Sequence, residues 1–133
     1  KRYVLMNPYK NIWGRIISLP ESVKIGAFVD IGEPNIGEDC KIQCFVSIPP
    51  GWKIGNRVFI GPGARFANDK HPRAIGGWEL TGGVVEDDVT VGMNATILPV
   101  KLGRGCKIGA GAVVTRDVPE GETWVGNPAK VLL

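Results

Sequence analysis

From Leu19 onward, an aliphatic or aromatic side chain returns every sixth residue: Leu19, Ile25, Ile31, then Ile36, Ile42, Ile48, Ile54, Ile60 and Phe66. After an interruption the series resumes at Val85, Val91, Ile97, Leu102, Ile108 and Val114. The units opened by Ile31 and Ile97 are one residue short. The second position is often glycine, and the fifth is mostly small or β-branched: Val23, Val29, Cys40, Val46, Val58, Ala64, Val89, Ala95, Cys106, Ala112 and Val118. An amphipathic helix does not explain this, because the recurring glycines would each cost a helix about 1 kcal/mol. An alternating strand does not either, because its period is two.

The pattern predicts a coil of short strands. Each six-residue unit makes one flat side of a prism, the first-position side chain fills the axis, and the small fifth-position residue sits near a corner. Glycine or asparagine is expected to give the backbone freedom to bend at the corners. Three units close one coil, so the chain predicts an all-β parallel β-helix of about five coils, in one domain over residues 1–133. A β-sandwich would show period-two strands at irregular spacing, which the constant register disfavours. Flat outer faces carrying residues such as Phe45 and Trp52 are expected to be covered by self-association.

The interruption runs from Phe66 to Val85, a step of 19 residues rather than 18, so it is not three degenerate units. It contains Pro72, Gly76, Gly77, Gly82 and Gly83, and predicts one loop extruded over about 67–84. Ile75, Trp78 and Leu80 are expected to hold it against a neighbouring subunit. The loop also carries the only histidine, His71, within Asn68-Asp69-Lys70-His71-Pro72-Arg73. A regular frame that opens once, around one imidazole and several polar groups, points to a site.

Composition narrows the picture. The 44% hydrophobic and 22% charged shares are ordinary, while 19 glycines are about twice average usage. A net charge of +3 does not argue for nucleic acid, but is compatible with a small phosphate-bearing ligand. Cys40, Cys44 and Cys106 form neither an even set nor a C-x-x-C pair, which fits small apolar residues in a reducing, cytoplasmic compartment. No stretch reaches the length of a membrane-spanning helix, and the first residues lack a signal-peptide apolar run.

The repeat resembles the left-handed parallel β-helix, or hexapeptide-repeat, acyltransferases. The closer match lies in I-G-N-R-V-F-I-G-P-G-A-R-F-A-N-D-K-H-P-R-A from Ile54 to Ala74, V-G-M-N-A-T-I-L-P from Val91 to Pro99, I-G-A-G-A-V-V-T-R-D-V-P-E-G from Ile108 to Gly121, and V-G-N-P-A-K from Val125 to Lys130. These look most like the sugar-nucleotide N-acetyltransferases, which acetylate an amino group on a nucleotide-linked amino sugar. The likeness runs from about Ser22 to Val131. It implies left-handed coils, a homotrimer with active sites between subunits, and acetyl-CoA as donor. By the same resemblance, Gly92, Ala95, Gly109, Ala110 and Gly111 would lie against the pantetheine arm, and Arg116 and Lys130 would contact phosphate. The chain departs from the pattern in three places. The loop from Arg73 to Val84 is shorter than in many such relatives; Ile97-Leu98-Pro99-Val100 lacks their glycine; and Gln43-Cys44-Phe45 stands where several carry a Ser-His pair.

Acetyl transfer to an amine needs a neutral nucleophile, a destination for its proton, and donors for the developing oxyanion. His71 can accept a proton near neutral pH, and D-K-H-P-R is similar to the segment that carries the catalytic base of serine acetyltransferases. In the sugar-nucleotide subgroup the residue matching Asn68 holds the acceptor amine, and positioning alone can supply much of the rate. Asp69 is a candidate to orient His71 or hold the amine, or else only shapes a turn. Arg73 is a candidate for acceptor phosphate or for pairing with Asp69. No metal is expected: a catalytic zinc needs three protein ligands, and γ-type carbonic anhydrases, built on the same repeat, use three histidines where this chain has one. The leading expectation is an N-acetyltransferase of a nucleotide-linked amino sugar. O-acetylation of a sugar or serine-like acceptor and a non-catalytic structural β-helix are the alternatives. No membrane or nucleic-acid partner is expected.

Overall fold

In a computed structural model, which describes residues 2–6, 15–33 and 35–133, every regular element is a strand. Pro34, in the short unit opened by Ile31, lies outside the described residues. Arg2–Met6 pairs antiparallel with Arg15–Leu19, a hairpin that precedes the coil and that the six-residue period does not announce. Among the described residues no helix is long and apolar enough to cross a membrane.

The coil itself has three faces of parallel strands, two or three residues each. On the first face, Ile25, Ile42, Ile60, Val91, Ile108 and Trp124 stand in register from coil to coil. On the second, Ile31 pairs with Ile48, and Ile97 lies between Phe66 and Val114. On the third, Val85 lies between Ile54 and Leu102, with bridges from Ile54 to Ile36 and from Leu102 to Val118. The second face counts five strands, one per coil, as the repeat predicts. The coil is an all-β left-handed parallel β-helix. It ends in an antiparallel turn-back, Thr123–Val125 against Lys130–Val131.

The stacking explains the sequence. Each first-position residue sits on its counterpart one coil away, so the axis is a set of aliphatic columns, buried throughout except for the half-buried Ile25. Each such side chain contributes roughly 1.5–3 kcal/mol of hydrophobic stabilisation. Val118, named above among the fifth positions, instead bridges Leu102 on the third face and so stacks as a first-position residue, while the other fifth-position residues are all buried as well. Trp52 belongs with them: it is the fifth residue of the unit opened by Ile48 and is 2% exposed, not on an outer face. Phe45 is exposed as expected, its ring stacked on Phe28 at 5.4 Å.

The corners divide the work of glycine differently from expectation. The left-handed backbone falls on the fourth residue of a unit, where φ is +57° at Phe28, +58° at Asp39, +55° at Arg57, +56° at Asn94 and +67° at Gly105. Second-position glycines have another cause, the backbone of the neighbouring coil. A Cβ on Gly92 would lie 2.5 Å from the amide nitrogen of Ala110, and one on Gly26 would lie 2.5 Å from that of Cys44.

All four irregularities of the repeat fall on one edge, the fourth being the four-residue step from Val114 to Val118. The second-to-third-face corner takes five residues from Ile31 to Ile36 and from Ile97 to Leu102, and 19 from Phe66 to Val85. The loop is thus an insertion at a single corner of the third coil. It regains strand at Gly83, so Gly83 and Val84 belong to the third face rather than to the loop.

Candidate functional site

The loop is built from its neck outward. Trp52 holds the base: its indole N–H donates to the carbonyl of Ala67 at 2.8 Å, and its ring meets Phe66 edge-on at 4.8 Å. The side-chain amide of Asn68 donates to the carbonyl of Pro50 at 3.0 Å, and the N–H of Thr81 donates to the carbonyl of Asn68 at 2.9 Å. On the returning limb, a Cβ on Gly82 would collide with the Gly51 carbonyl, and one on Gly83 with the Trp52 ring and the Val100 carbonyl. The two limbs are therefore clamped against the coil, and residues 69–80 hang from that clamp.

Beyond the neck the polar groups converge. Asp69, Lys70, His71, Arg73, Glu79 and Thr81 line an open concavity of about 600 Å³. Asp69 Oδ1 accepts the backbone N–H of His71 at 2.8 Å, which makes Asp69 a turn-former and fixes where the imidazole starts. Arg73 Nε donates to the carbonyl of Gly77 at 3.1 Å, closing the loop tip, and among the described residues no ion pair joins Arg73 to Asp69. Asn68 stands at the neck with one amide N–H in use, and among the described residues its carboxamide oxygen, an acceptor, has no partner.

A second concavity of about 650 Å³ runs along the same edge, above the loop. Its floor is the Leu98-Pro99-Val100 corner of the fourth coil, and Thr115, Arg116 and Asp117 of the fifth coil form its upper wall. Lys70 lines both concavities. Asp117 Oδ1 accepts the N–H of Lys101 at 2.8 Å, and the Arg116 guanidinium lies 5.0 Å from the centre of the Trp124 ring. The groove thus joins an apolar floor to two cations.

The residues expected to line a pantetheine arm lie elsewhere in the chain's own frame. Gly92, Ala95, Gly109, Ala110 and Gly111 occupy the corner between the first and second faces, one edge away from Arg116. Ala95 is a correction: it is 1% exposed, its N–H bonds the Gly92 carbonyl, and its carbonyl bonds the N–H of Arg65, so it fills the core rather than offering a contact. Gly92 and Gly109 are small because the next coil presses on them. Gly111 has φ +70° and open space around it, and Ala110 beside it is exposed. Lys130 is exposed on the terminal turn-back of the first face, apart from the Arg116 groove. Sequence reasoning did not single out Lys70, Glu79 or Thr81, although Lys70 stands inside the quoted motif.

The remaining electrostatics lie on the third edge. Arg57 makes a two-point contact with Asp88, at 2.7 and 3.1 Å, and this holds the Asp88 carboxyl below its usual range. Lys101 pairs with Glu86 at 3.0 Å, which raises the lysine. Burial raises the thiols of Cys40 and Cys106, the latter to about 11. Among the described residues no group of three or more His, Cys, Asp or Glu side chains is placed to hold a metal ion.

Comparison with known proteins fits this geometry. Residues 33–68 match a family model described as bacterial transferase hexapeptide (six repeats), and residues 84–116 match one described as hexapeptide repeat of succinyl-transferase. The bifunctional protein GlmU of Rubrobacter xylanophilus is 33% identical over 115 residues, 86% of this chain and 23% of that protein. A 2,3,4,5-tetrahydropyridine-2,6-dicarboxylate N-acetyltransferase of Staphylococcus aureus is 42% identical over 79 residues, 59% of this chain and 31% of the enzyme. The chain thus spans about a quarter to a third of the length of these curated relatives. Among solved structures, a hexapeptide-repeat acetyltransferase of Vibrio cholerae, complexed with acetyl coenzyme A, superposes with a TM-score of 0.75 at 26% identity, covering 87% of this chain and 69% of that one. The matched segments flank the loop on both sides and coincide with the coils, and by that repeat and that coil the chain belongs to the left-handed β-helix, hexapeptide-repeat acyltransferases.

Proposed function

We propose that this chain transfers an acetyl group from acetyl-CoA to the amino group of a nucleotide-linked amino sugar. The observation that carries the reading is the junction of the two concavities: an apolar-floored groove flanked by Lys70 and Arg116 opens beside a polar cavity that holds His71. A thioester donor with a phosphate-bearing tail needs the first, and a hydroxyl-rich amine acceptor needs the second. The acetyl coenzyme A in the Vibrio cholerae relative and the N-acetyl transfer in the name of the Staphylococcus aureus relative support donor and reaction. The N-D-K-H-P-R segment supports the amino-sugar acceptor.

In this reading His71 takes the proton that the amine loses, Asn68 Oδ1 holds that amine, and Arg73 meets acceptor phosphate. Arg116 meets donor phosphate. The exposed Ala110-Gly111 corner lies one edge away, so a homotrimer that sets this corner of one subunit against the groove of the next completes the donor site. No metal takes part. Three free thiols suit the cytoplasm.

Transfer to a hydroxyl is the second reading. It is favoured by a maltose O-acetyltransferase of Clostridium difficile, which shares the coil with a TM-score of 0.72 at 25% identity. A thiol-release assay with acetyl-CoA across amino-sugar nucleotides, free sugars and serine separates the two. Turnover on amino-sugar nucleotides is the expected result; turnover on hydroxyl acceptors alone overturns it.

A further inference from the structure

We infer that Lys70 is a catalytic residue of this transfer, the cation that neutralises the thioester oxygen as it becomes an oxyanion. The inference rests on the acetyl-transfer reading and goes beyond it, because neither the imidazole nor the amine-holding amide accounts for that charge.

The argument is one of position. The donor groove and the acceptor cavity share one residue, and it is Lys70. The carbonyl that is attacked must sit where donor and acceptor meet, so it sits beside this side chain. The other cations are placed away from the junction: Arg116 lines only the groove and Arg73 only the cavity, with Arg73 Nε already donating to the Gly77 carbonyl. Of the carboxylates that line these two concavities with Lys70, Asp69 accepts the N–H of His71 and Asp117 that of Lys101, and among the described residues neither these nor Glu79 forms an ion pair with Lys70. Among the described residues no ion pair or hydrogen bond engages Lys70, so its ammonium is available to a ligand. Its backbone neighbours are held by the Asp69 turn and the clamped neck, which limits where the ammonium can reach.

The step balances with Lys70 protonated throughout. The amine nitrogen attacks the thioester carbon, the C–N bond forms, and the carbonyl electron pair moves onto oxygen opposite the Lys70 ammonium. His71 takes the proton from nitrogen. The oxygen pair then returns, the C–S bond breaks, and the departing thiolate receives the proton from His71. A single positioned donor to such an oxyanion is worth about 10²–10³-fold in kcat.

The test compares wild type with Lys70→Met and Lys70→Arg in steady-state turnover, with CoA affinity measured by calorimetry. Lys70 is exposed, so both variants are expected to fold, and a thermal melt checks this. Expected is a fall in kcat of about 10²-fold for Lys70→Met, CoA affinity within about twofold of wild type, and recovery of at least about tenfold by Lys70→Arg, the pattern of an interaction made only in the transition state. An unchanged kcat, or a loss confined to CoA affinity, overturns the role, the second outcome making Lys70 a phosphate contact. A wild-type protein that releases no thiol with any acceptor overturns the acetyl-transfer reading itself, and is told apart from an active wild type whose Lys70→Met variant is indifferent.

Discussion

His71 and Asn68 stand three residues apart and are held for different purposes. His71 is exposed, and only its backbone is tied, to Asp69; Asn68 is half-buried, and its side chain pins the neck to Pro50. Truncation therefore separates them. His71→Ala is expected to leave the melting temperature unchanged and lower kcat by about 10²–10⁴-fold, the range for loss of a general base. Asn68→Ala is expected to cost about 1 kcal/mol of stability through the lost hydrogen bond, and to raise KM as the loop loosens. An active His71→Asn enzyme with an unaltered pH profile ends the base assignment. The cysteines give a second check at this scale. Cys40 and Cys106 are buried and their thiols raised, whereas Cys44 is half-buried. Brief iodoacetamide treatment at mildly alkaline pH is expected to add one carbamidomethyl group, on Cys44, read by peptide mass. The motif around His71 was legible because it interrupts a period. The role of Lys70 was not, since a lysine in a polar loop looks like any solvated charge until two cavities meet on it.

The unit of the fold is the six-residue side with its corner, and it makes two demands on glycine that a sequence shows as one. At second-position glycines the neighbouring coil leaves no room for a Cβ; at fourth positions φ is left-handed, which Asp, Asn, Arg and Phe also accept here. Gly92→Ala is expected to lose about 3 kcal/mol, as overpacking against fixed backbone does, and Gly105→Ala, with nothing within 4 Å, about 1–2 kcal/mol. Urea denaturation orders the pair; equal losses would contradict the division. The Arg57–Asp88 contact adds a pH signature. Because the folded carboxyl is held below the usual 3.8, its stabilisation is complete above that value and is lost as pH falls through the lower folded value. The stability gap between wild type and Arg57→Met is expected to be full at neutral pH and to close on acidification below 3.8. The columns and the coil count were legible at this scale because burial repeats with the period. Trp52 was not, since a large indole at a position otherwise kept for small residues reads as a surface residue. Phe66 and the glycine-lined neck make its room.

At the scale of the molecule, Phe28, Phe45, Met93 and, on the loop, Ile75 and Trp78 remain more than half exposed. A single chain leaves these apolar surfaces to water, and a closed ring of subunits would cover them. Sedimentation equilibrium is expected to give about three times the 14.3 kDa chain mass; a monomer at micromolar concentration would remove the shared donor site. The hairpin before the coil and the turn-back after it were illegible in the repeat because neither stacks a coil on a coil.

The placement of the loop at a single corner has a further consequence, for how such a protein changes over time. Widening one corner from six residues to 19 costs only about 1 kcal/mol of chain entropy, because closure grows with the logarithm of length. The neck bears the mechanical connection, and among the described residues no hydrogen bond joins residues 69–80 to the coil. Replacing those residues with a short glycine link is expected to leave the thermal melt nearly intact while abolishing turnover. On the proposed reading, acceptor preference can then drift by rewriting a dozen residues while the scaffold stands unaltered, which would uncouple heritable variation in chemistry from that in durability.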